Sequence, residues 1–397
     1  MEPVTHILTG ACLARTGLNR RAAYTTLAMA VGAELPDIDT VSSFAGPIAG
    51  FEHHRGITHT FVALPFEAAL VVLAIYAFHR WRQRRGKPAT AAPVNWPLLF
   101  GFTLLALLSH LLLDFTNNYG IRPFFPFNTH WYAASIVFIF DPLMFLLLLG
   151  ALVMPLLFRL IGSEVGARRQ PFVARGWSVA ALLLILALWT TREVQHNRAV
   201  NLAMSETYVQ RPAPDPSAGA QANVAAGIGD GQTEAAPAPT EAAPTYLQAQ
   251  RVLASPDPLS IFRWYTVTDY GPLYQLGVAD TAGPEYDASQ AAQPKLGPSP
   301  AWTAAESSWL GRVYLDWSPM PFITIAPSSR LGLDDDARRA TLGHSVVTFA
   351  DPRFMGNSPI LHWSGHTPLT GKVELDSTNQ VVAEEMDGKP QSLHHRD

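Results

Sequence analysis

The chain has 397 residues, of which 48% are hydrophobic and only 15% charged, with a mean hydropathy of +0.10; that is too apolar for a water-soluble protein unless the apolar residues are gathered in one part. Up to Gln195 there are 15 Lys and Arg against 10 Asp and Glu, and beyond it 13 against 22, so the net charge of −4 hides balances of +5 and −9. The single cysteine, Cys12, excludes an intrachain disulfide and a Cys-rich zinc site, and the one short basic run, Arg80 to Lys87, lies between apolar segments, which speaks against nucleic-acid binding.

In chain order, a short apolar run at Ala22–Leu35 is followed by four runs long enough to cross about 30 Å of hydrocarbon: Thr60–Phe78, Pro97–Phe115, Ala133–Phe158 and Arg175–Thr191. The first run ends in Glu34-Leu35-Pro36-Asp37 and not in a small-residue cleavage site, so no cleavable signal is expected there. Basic residues cluster at Arg20-Arg21, Arg80–Lys87 and Arg159–Arg175. If all three groups face the cytoplasm, the chain crosses five times, and Pro36–Thr58, Thr116–Tyr132 and everything after Thr191 lie on the outer face.

From Gln210 to Pro244 the composition is dominated by Ala, Pro and Gly and cannot bury enough surface to fold. Beyond it, Ile261–Thr268, Leu273–Val278, Arg312–Trp317 and Val346–Phe349 read as strands, and Lys372–Leu375 with Val381–Glu384 reads as a hairpin. The expected architecture is an α-helical polytopic membrane domain of four to five spans (1–195), a flexible linker (196–245), a small β-rich extracytoplasmic domain (246–390) and a tail (391–397).

Three polar clusters interrupt the apolar half at the same end of their spans: Asp37 and Asp39, the stretch His53 to His59, and His110 with Asp114. His110 and Asp114 stand four apart on one helical face within a run of Leu, where an ionisable side chain is costly unless paired or facing a wet cavity. A histidine–carboxylate set suits a divalent metal, zinc first, with manganese or iron as alternatives. The candidate ligands are Asp37, Asp39, His54, His59, His110 and Asp114. Arg55 is the candidate for holding an anionic group and Asp141 for supporting the ligands from behind. Taken singly, the Asp37–Asp39 pair also fits a solvated turn or helix cap, the His53–His54 pair an exposed surface, and His110–Asp114 an interhelical hydrogen bond. His6 begins on the wrong side in a five-crossing chain. Glu67, Arg122, the His362/His366 pair and the His394/His395 pair are weaker candidates.

Thr5-His6 followed by Gly10, Leu35-Pro36-Asp37-Ile38-Asp39, His54-Arg55-Gly56-Ile57-Thr58-His59, and His110-x-x-x-Asp114 followed by Asn118-Tyr119-Gly120 together resemble the YdjM-like inner-membrane metal-dependent hydrolases, also described as LexA-binding inner-membrane-associated hydrolases. The resemblance covers about the first 200 residues. It implies a polytopic protein of the bacterial inner membrane with metal-dependent hydrolase activity. The His-x-x-x-Asp pair is also similar to ligands of zinc-dependent phospholipase C enzymes, which makes phosphodiesters a natural substrate class.

The expected function is therefore hydrolysis, at the outer membrane face, of a phosphoester or related bond in an amphiphilic or anionic substrate, with membrane lipids as surroundings. The alternative is a non-enzymatic membrane scaffold or stress-response factor, with a structural metal and an outer β domain that binds a protein partner. Transport is less favoured, because the inner halves of the spans carry few polar groups.

Overall fold

α1 (Pro3–Arg15) opens the chain, capped by the Glu2 carboxylate, which accepts from the backbone N–H groups of Val4 and Thr5. The computed structural model describes residues 2–87, 90–164, 175–210, 243–288, 292–328, 343–355 and 367–392. α2 (Thr25–Glu34) returns alongside α1, and a 3₁₀ stretch, Leu35–Ala45, leads into the short α3 (Pro47–His53). After a 3₁₀ turn at Ile57–His59 come α4 (Leu64–Arg84), α5 (Trp96–Thr116), α6 (Pro142–Glu164) and α7 (Arg175–Met204).

Among the described residues, α4, α5, α6 and α7 have the length and hydropathy to cross a bilayer. α2, at ten residues, rises only about 15 Å and is too short to do so alone. α1 packs against α2, α5, α6 and α7, and α2 against α4 and α5, so each short helix buries one face on the long ones while Val4, Ile7, Leu27 and Val31 stay exposed. Gly10 permits the α1–α2 contact: a Cβ there would collide with the carbonyl oxygen of Met29. The backbone N–H of Glu2 reaches Ile139 O just before α6, whereas Gly17 lies against Arg175 at the start of α7. Arg20, Arg21 and Arg175 thus gather at one end of the bundle, with the N-terminal end of α1 at the other.

Two elements differ from the sequence-based expectation. Residues 133–141 are not helical but irregular, with a bridge from Val137 to Asn117, and α6 begins only at Pro142, where Asp141 caps it by accepting from Met144 N. Arg312–Trp317 is helical, within α9 (Trp309–Trp317), which follows α8 (Pro300–Ser307). Ser308 caps α9, and Leu310, Tyr314 and Trp317 at helical spacing form its buried face, a period that the run of β-favouring residues concealed.

The remaining described chain is β-rich. β1 (Thr207–Gln210) pairs with β2 (Thr245–Gln248), while most of the expected linker, 211–242, lies outside the described residues. β3 (Arg251–Pro256), β4 (Arg263–Asp269), β5 (Leu273–Asp280) and β6 (Glu285–Asp287) form one antiparallel sheet, with β7 (Gln293–Pro294) also on β5. β8 (Phe322–Pro327), β9 (Ser345–Ala350), β10 (Gly371–Leu375), β11 (Val381–Met386) and β12 (Lys389–Gln391) form a second, in which the β10–β11 hairpin closes over Asp376–Gln380 as expected.

α7 runs on beyond Gln195 and packs its last turns against β3, β4 and β5, with Ala199 against Trp264 and Ala279. A second seam joins Ile48 and Phe51 of α3, Tyr119 and Phe138 to Tyr314, Trp317 and Phe349 in one buried cluster. Arg353 donates to Asn118 O (2.8 Å) and Trp317 Nε1 to Tyr119 O (3.2 Å). The β-rich part therefore sits on the loops at the end of the bundle away from Arg175.

Candidate metal centre

The site is assembled from four pieces of chain whose local structure fixes each side chain. Asp37 and Asp39 project from the 3₁₀ stretch that begins at Leu35, where Pro36 stands in the first turn. His59 ends the next 3₁₀ turn. His110 and Asp114 lie one turn apart on α5 and face inward together. Between them, Arg55 adopts φ +52°, a left-handed conformation that costs a non-glycine residue roughly 1–3 kcal/mol. Its backbone N–H donates to Asp39 Oδ2 at 2.6 Å, and its guanidinium donates to Asp114 Oδ1 (2.9 Å), Asn117 Oδ1 (3.1 Å) and Gly120 O (2.7 Å).

Asp37, His59, His110 and Asp114 each bring one donor atom to a common point. His59 Nε2 is 3.0 Å from His110 Nε2, 3.4 Å from Asp37 Oδ1 and 3.4 Å from Asp114 Oδ2; His110 Nε2 is 3.5 Å from Asp114 Oδ2 and 3.7 Å from Asp37 Oδ1. Tetrahedral ligands about 2.0–2.2 Å from an ion stand roughly 3.3–3.6 Å from one another, and these five separations, 3.0–3.7 Å, bracket that range. The side chains of His59, His110 and Asp114 are fully buried, and that of Asp37 is 10% exposed.

The orientation of the two imidazoles is set from behind. His110 Nδ1 is 2.6 Å from Ala33 O, and a ring nitrogen facing a carbonyl must donate, so Nε2 carries the lone pair. His59 Nδ1 is 3.3 Å from Asp39 Oδ2, which orients that ring in the same sense. Two lone pairs pointing at each other across 3.0 Å repel unless a cation or a proton lies between them. Without a metal, that cation is a proton on His59: burial alone lowers its pKa, but hydrogen bonds to Asp114, Asp37 and Asp39 outweigh burial and push it up to about 10. Asp37 shows the converse: burial raises its pKa, while the His59 hydrogen bond and the charges of His110 and His6 bring it down to about 2. The donor set thus fits a divalent ion by spacing, charge and tautomer.

The other candidate residues take different places. Asp39 holds His59, His54 and the Arg55 N–H, so its oxygens are engaged beside the four donors and not among them. His54 Nδ1 turns to Asp39 Oδ1 (3.3 Å), and its side chain, 31% exposed, lines a cleft of about 750 Å³ with Thr40, Arg55, Tyr119, Phe354 and Leu369. Arg55 clamps Asp114 and is 3% exposed, its guanidinium 4.7 Å from the Tyr119 ring centroid. Asp141 pairs with Arg192 of α7 and caps α6, contacts that join helices outside the cluster. Arg122 ties the Glu52 carbonyl to Asp316 of α9. His362, His366, His394 and His395 lie outside the described residues.

One participant escaped the sequence reading: the Ala33 carbonyl, which has no side-chain signature. His6, misplaced by a five-crossing count, reaches the cluster because α1 is itself a buried helix entering from the site's end: its ring stacks on His110 with centroids 3.8 Å apart.

A family model described as YdjM inner membrane protein matches residues 1–199. A protein of Bacillus subtilis (strain 168), described as uncharacterized protein YfhP, is 29% identical over 126 residues, which is 32% of this chain and 35% of that protein's own length. No solved structure matches the chain.

Proposed function

The chain belongs to the YdjM inner membrane protein family, and from that premise we propose that it is a metal-dependent hydrolase of the bacterial inner membrane, acting on a phosphoester or related bond of an amphiphilic, lipid-borne substrate. The observation that carries this reading is the gathering of one donor atom each from Asp37, His59, His110 and Asp114 in a buried cluster, His59 Nε2 lying within 3.4 Å of the other three. Zinc suits that donor set best, with manganese or iron next. Such an ion supplies a Lewis acid that makes water nucleophilic near neutral pH.

The chain's own residues do the rest. Asp39 and the Ala33 carbonyl hold the two imidazoles in their ligating tautomers. Arg55, in the wall of the cleft, fixes Asp114 through its guanidinium. His54, with Nδ1–H directed at Asp39, offers Nε2 to take up the proton released from water. The β-rich part contributes Phe354, Leu369 and Met386 to the walls of the cleft. The basic residues at the opposite end support reading that end as cytoplasmic by the positive-inside rule, which would put the site and the β-rich part on the outer face.

A second reading is favoured by one feature: four protein donors, three of them fully buried, resemble a closed structural ion, around which the protein would act as a scaffold. Hydrolysis separates the two. Purified protein incubated with phospholipids and with soluble phosphodiesters is expected to release product only when metal-loaded, and His54→Ala is expected to slow release by about 10²-fold while retaining the ion. Full metal occupancy with no turnover on either class of substrate would favour the scaffold.

A further inference from the structure

Of the four donors, none lines the cleft beside His54 and Arg55, whereas a second cavity reaches Asp37. This cavity, of about 410 Å³, lies between Ile7 of α1, Val31 and Glu34 of α2, and Leu35, Asp37 and Ile38 of the 3₁₀ stretch. Its size is within the usual range of ligand sites, about 300–1,000 Å³. Among the described residues, it is walled by the helical bundle alone, with no contribution from the β-rich part.

The walls are apolar and continuous with the lipid-facing surface. Ile7, Val31 and Ile38 are exposed, on helices that pack against the long apolar spans, so hydrocarbon is what lies outside them. Leu27, one turn from Val31 on the same face of α2, prolongs the apolar surface in one direction. In the other, Ile38, Val41 and Phe44 follow at the three-residue spacing at which 3₁₀ side chains eclipse, and all three are exposed. The inner end differs. Glu34 Oε2 and Asp37 Oδ2 are buried there without a hydrogen-bond partner, while Asp37 Oδ1 is 3.4 Å from His59 Nε2 and 3.7 Å from His110 Nε2. Carboxylate oxygens only accept, so the group that meets this end donates. An apolar trough that ends on two unmet acceptors matches an amphiphile, tail outward and polar part inward.

We propose that this cavity seats one acyl chain of a membrane lipid, entering sideways from the bilayer, with a hydroxyl or ammonium of the lipid's polar part at Glu34 and Asp37, beside the four donors. The proposal rests on the hydrolase reading for its purpose, since it says how a lipid-borne substrate meets a buried centre. The seat itself is a matter of binding and is measured apart from turnover.

The detergent-purified full chain is stripped of lipid and titrated with phosphatidylethanolamine, whose ammonium donates, and with phosphatidylcholine of the same chains, whose headgroup has no donor. Bound lipid per chain is read by native mass spectrometry, with metal content and melting profile measured alongside. Wild type is expected to saturate at one phosphatidylethanolamine per chain and to hold phosphatidylcholine more weakly. Val31→Trp and Ile38→Trp fill the cavity and are each expected to weaken retention about tenfold or more, whereas Leu73→Trp, at an exposed position of α4 outside it, leaves retention unchanged. Should Val31→Trp fail to fold, Ile38→Trp carries the test. Uptake that does not saturate in wild type, equal retention by wild type and the folded cavity variants, or an equal loss in Leu73→Trp overturns the seat. Equal retention of the two lipids overturns the polar contact at Glu34 and Asp37. Saturable binding that the cavity variants lose, without hydrolysis of any phosphodiester by metal-loaded wild type, supports the seat and overturns the hydrolase reading.

Discussion

At the scale of single residues, the centre is defined by where protons sit. With His59 pushed up to about 10, the metal-free site carries a proton on that ring at neutral pH, and an incoming ion must displace it. Affinity for the ion should therefore fall about tenfold per pH unit as pH drops from roughly 8 to 6, with close to one proton released per ion bound near neutral pH. Calorimetry in buffers of different ionisation enthalpy measures both quantities, and a pH-independent affinity would contradict the assignment of His59. The metal-free protein shows the opposite trend: a histidine raised from 6.5 to about 10 contributes stability that is complete below pH 6.5 and lost as pH rises through 10. That Asp37, His59, His110 and Asp114 gather in one cluster was legible in sequence because ionisable residues in apolar surroundings are expensive. The division between ligand and support was not. Asp37 and Asp39 are indistinguishable by type and spacing, and only the 3₁₀ path of the chain sends one to the ion position and the other behind His59. Arg55 likewise looked free to hold an anion until Asp114, Asn117 and Gly120 were seen to claim its guanidinium.

At the scale of elements, the packing of α1 against α2 and α5 is what brings His6 to the cluster. That packing depends on a missing side chain. Gly10→Leu would force α1 away from Met29 and Ala33, at an overpacking cost of about 1–3 kcal/mol, whereas Gly101→Leu on α5, with nothing within 4 Å, should be neutral. Thermal unfolding of the two variants in detergent checks this, and equal melting temperatures would count against the close contact. Long apolar runs made α4, α5 and α7 readable from composition, because lipid exposure demands them. α1 was missed as a helix of the bundle because it is short and interrupted by Thr5, His6 and Thr9, which are tolerated only through burial against its neighbours. In α9, intrinsic preference for strand lost to the packing of Leu310, Tyr314 and Trp317 against the second sheet.

At the scale of the whole molecule, the helical bundle puts Arg20, Arg21 and Arg175 at one end and the four-donor cluster at the other, and the β-rich part covers the second. If the basic end is cytoplasmic, then in a Cys12→Ser background Ser377→Cys should react with a membrane-impermeant maleimide in intact spheroplasts, and Gln83→Cys only after lysis. The reverse pattern would turn the protein over and put the centre inside the cell. The account as a whole stands on the metal, and the most direct measurement is metal content by mass spectrometry of detergent-purified wild type beside the His59→Ala/His110→Ala double variant, with helical content and monodispersity checked in both. The account predicts zinc, manganese or iron at one or more ions per chain in wild type and near zero in the folded double variant; wild type free of metal after purification without chelators, or a double variant that keeps its full complement, would contradict it.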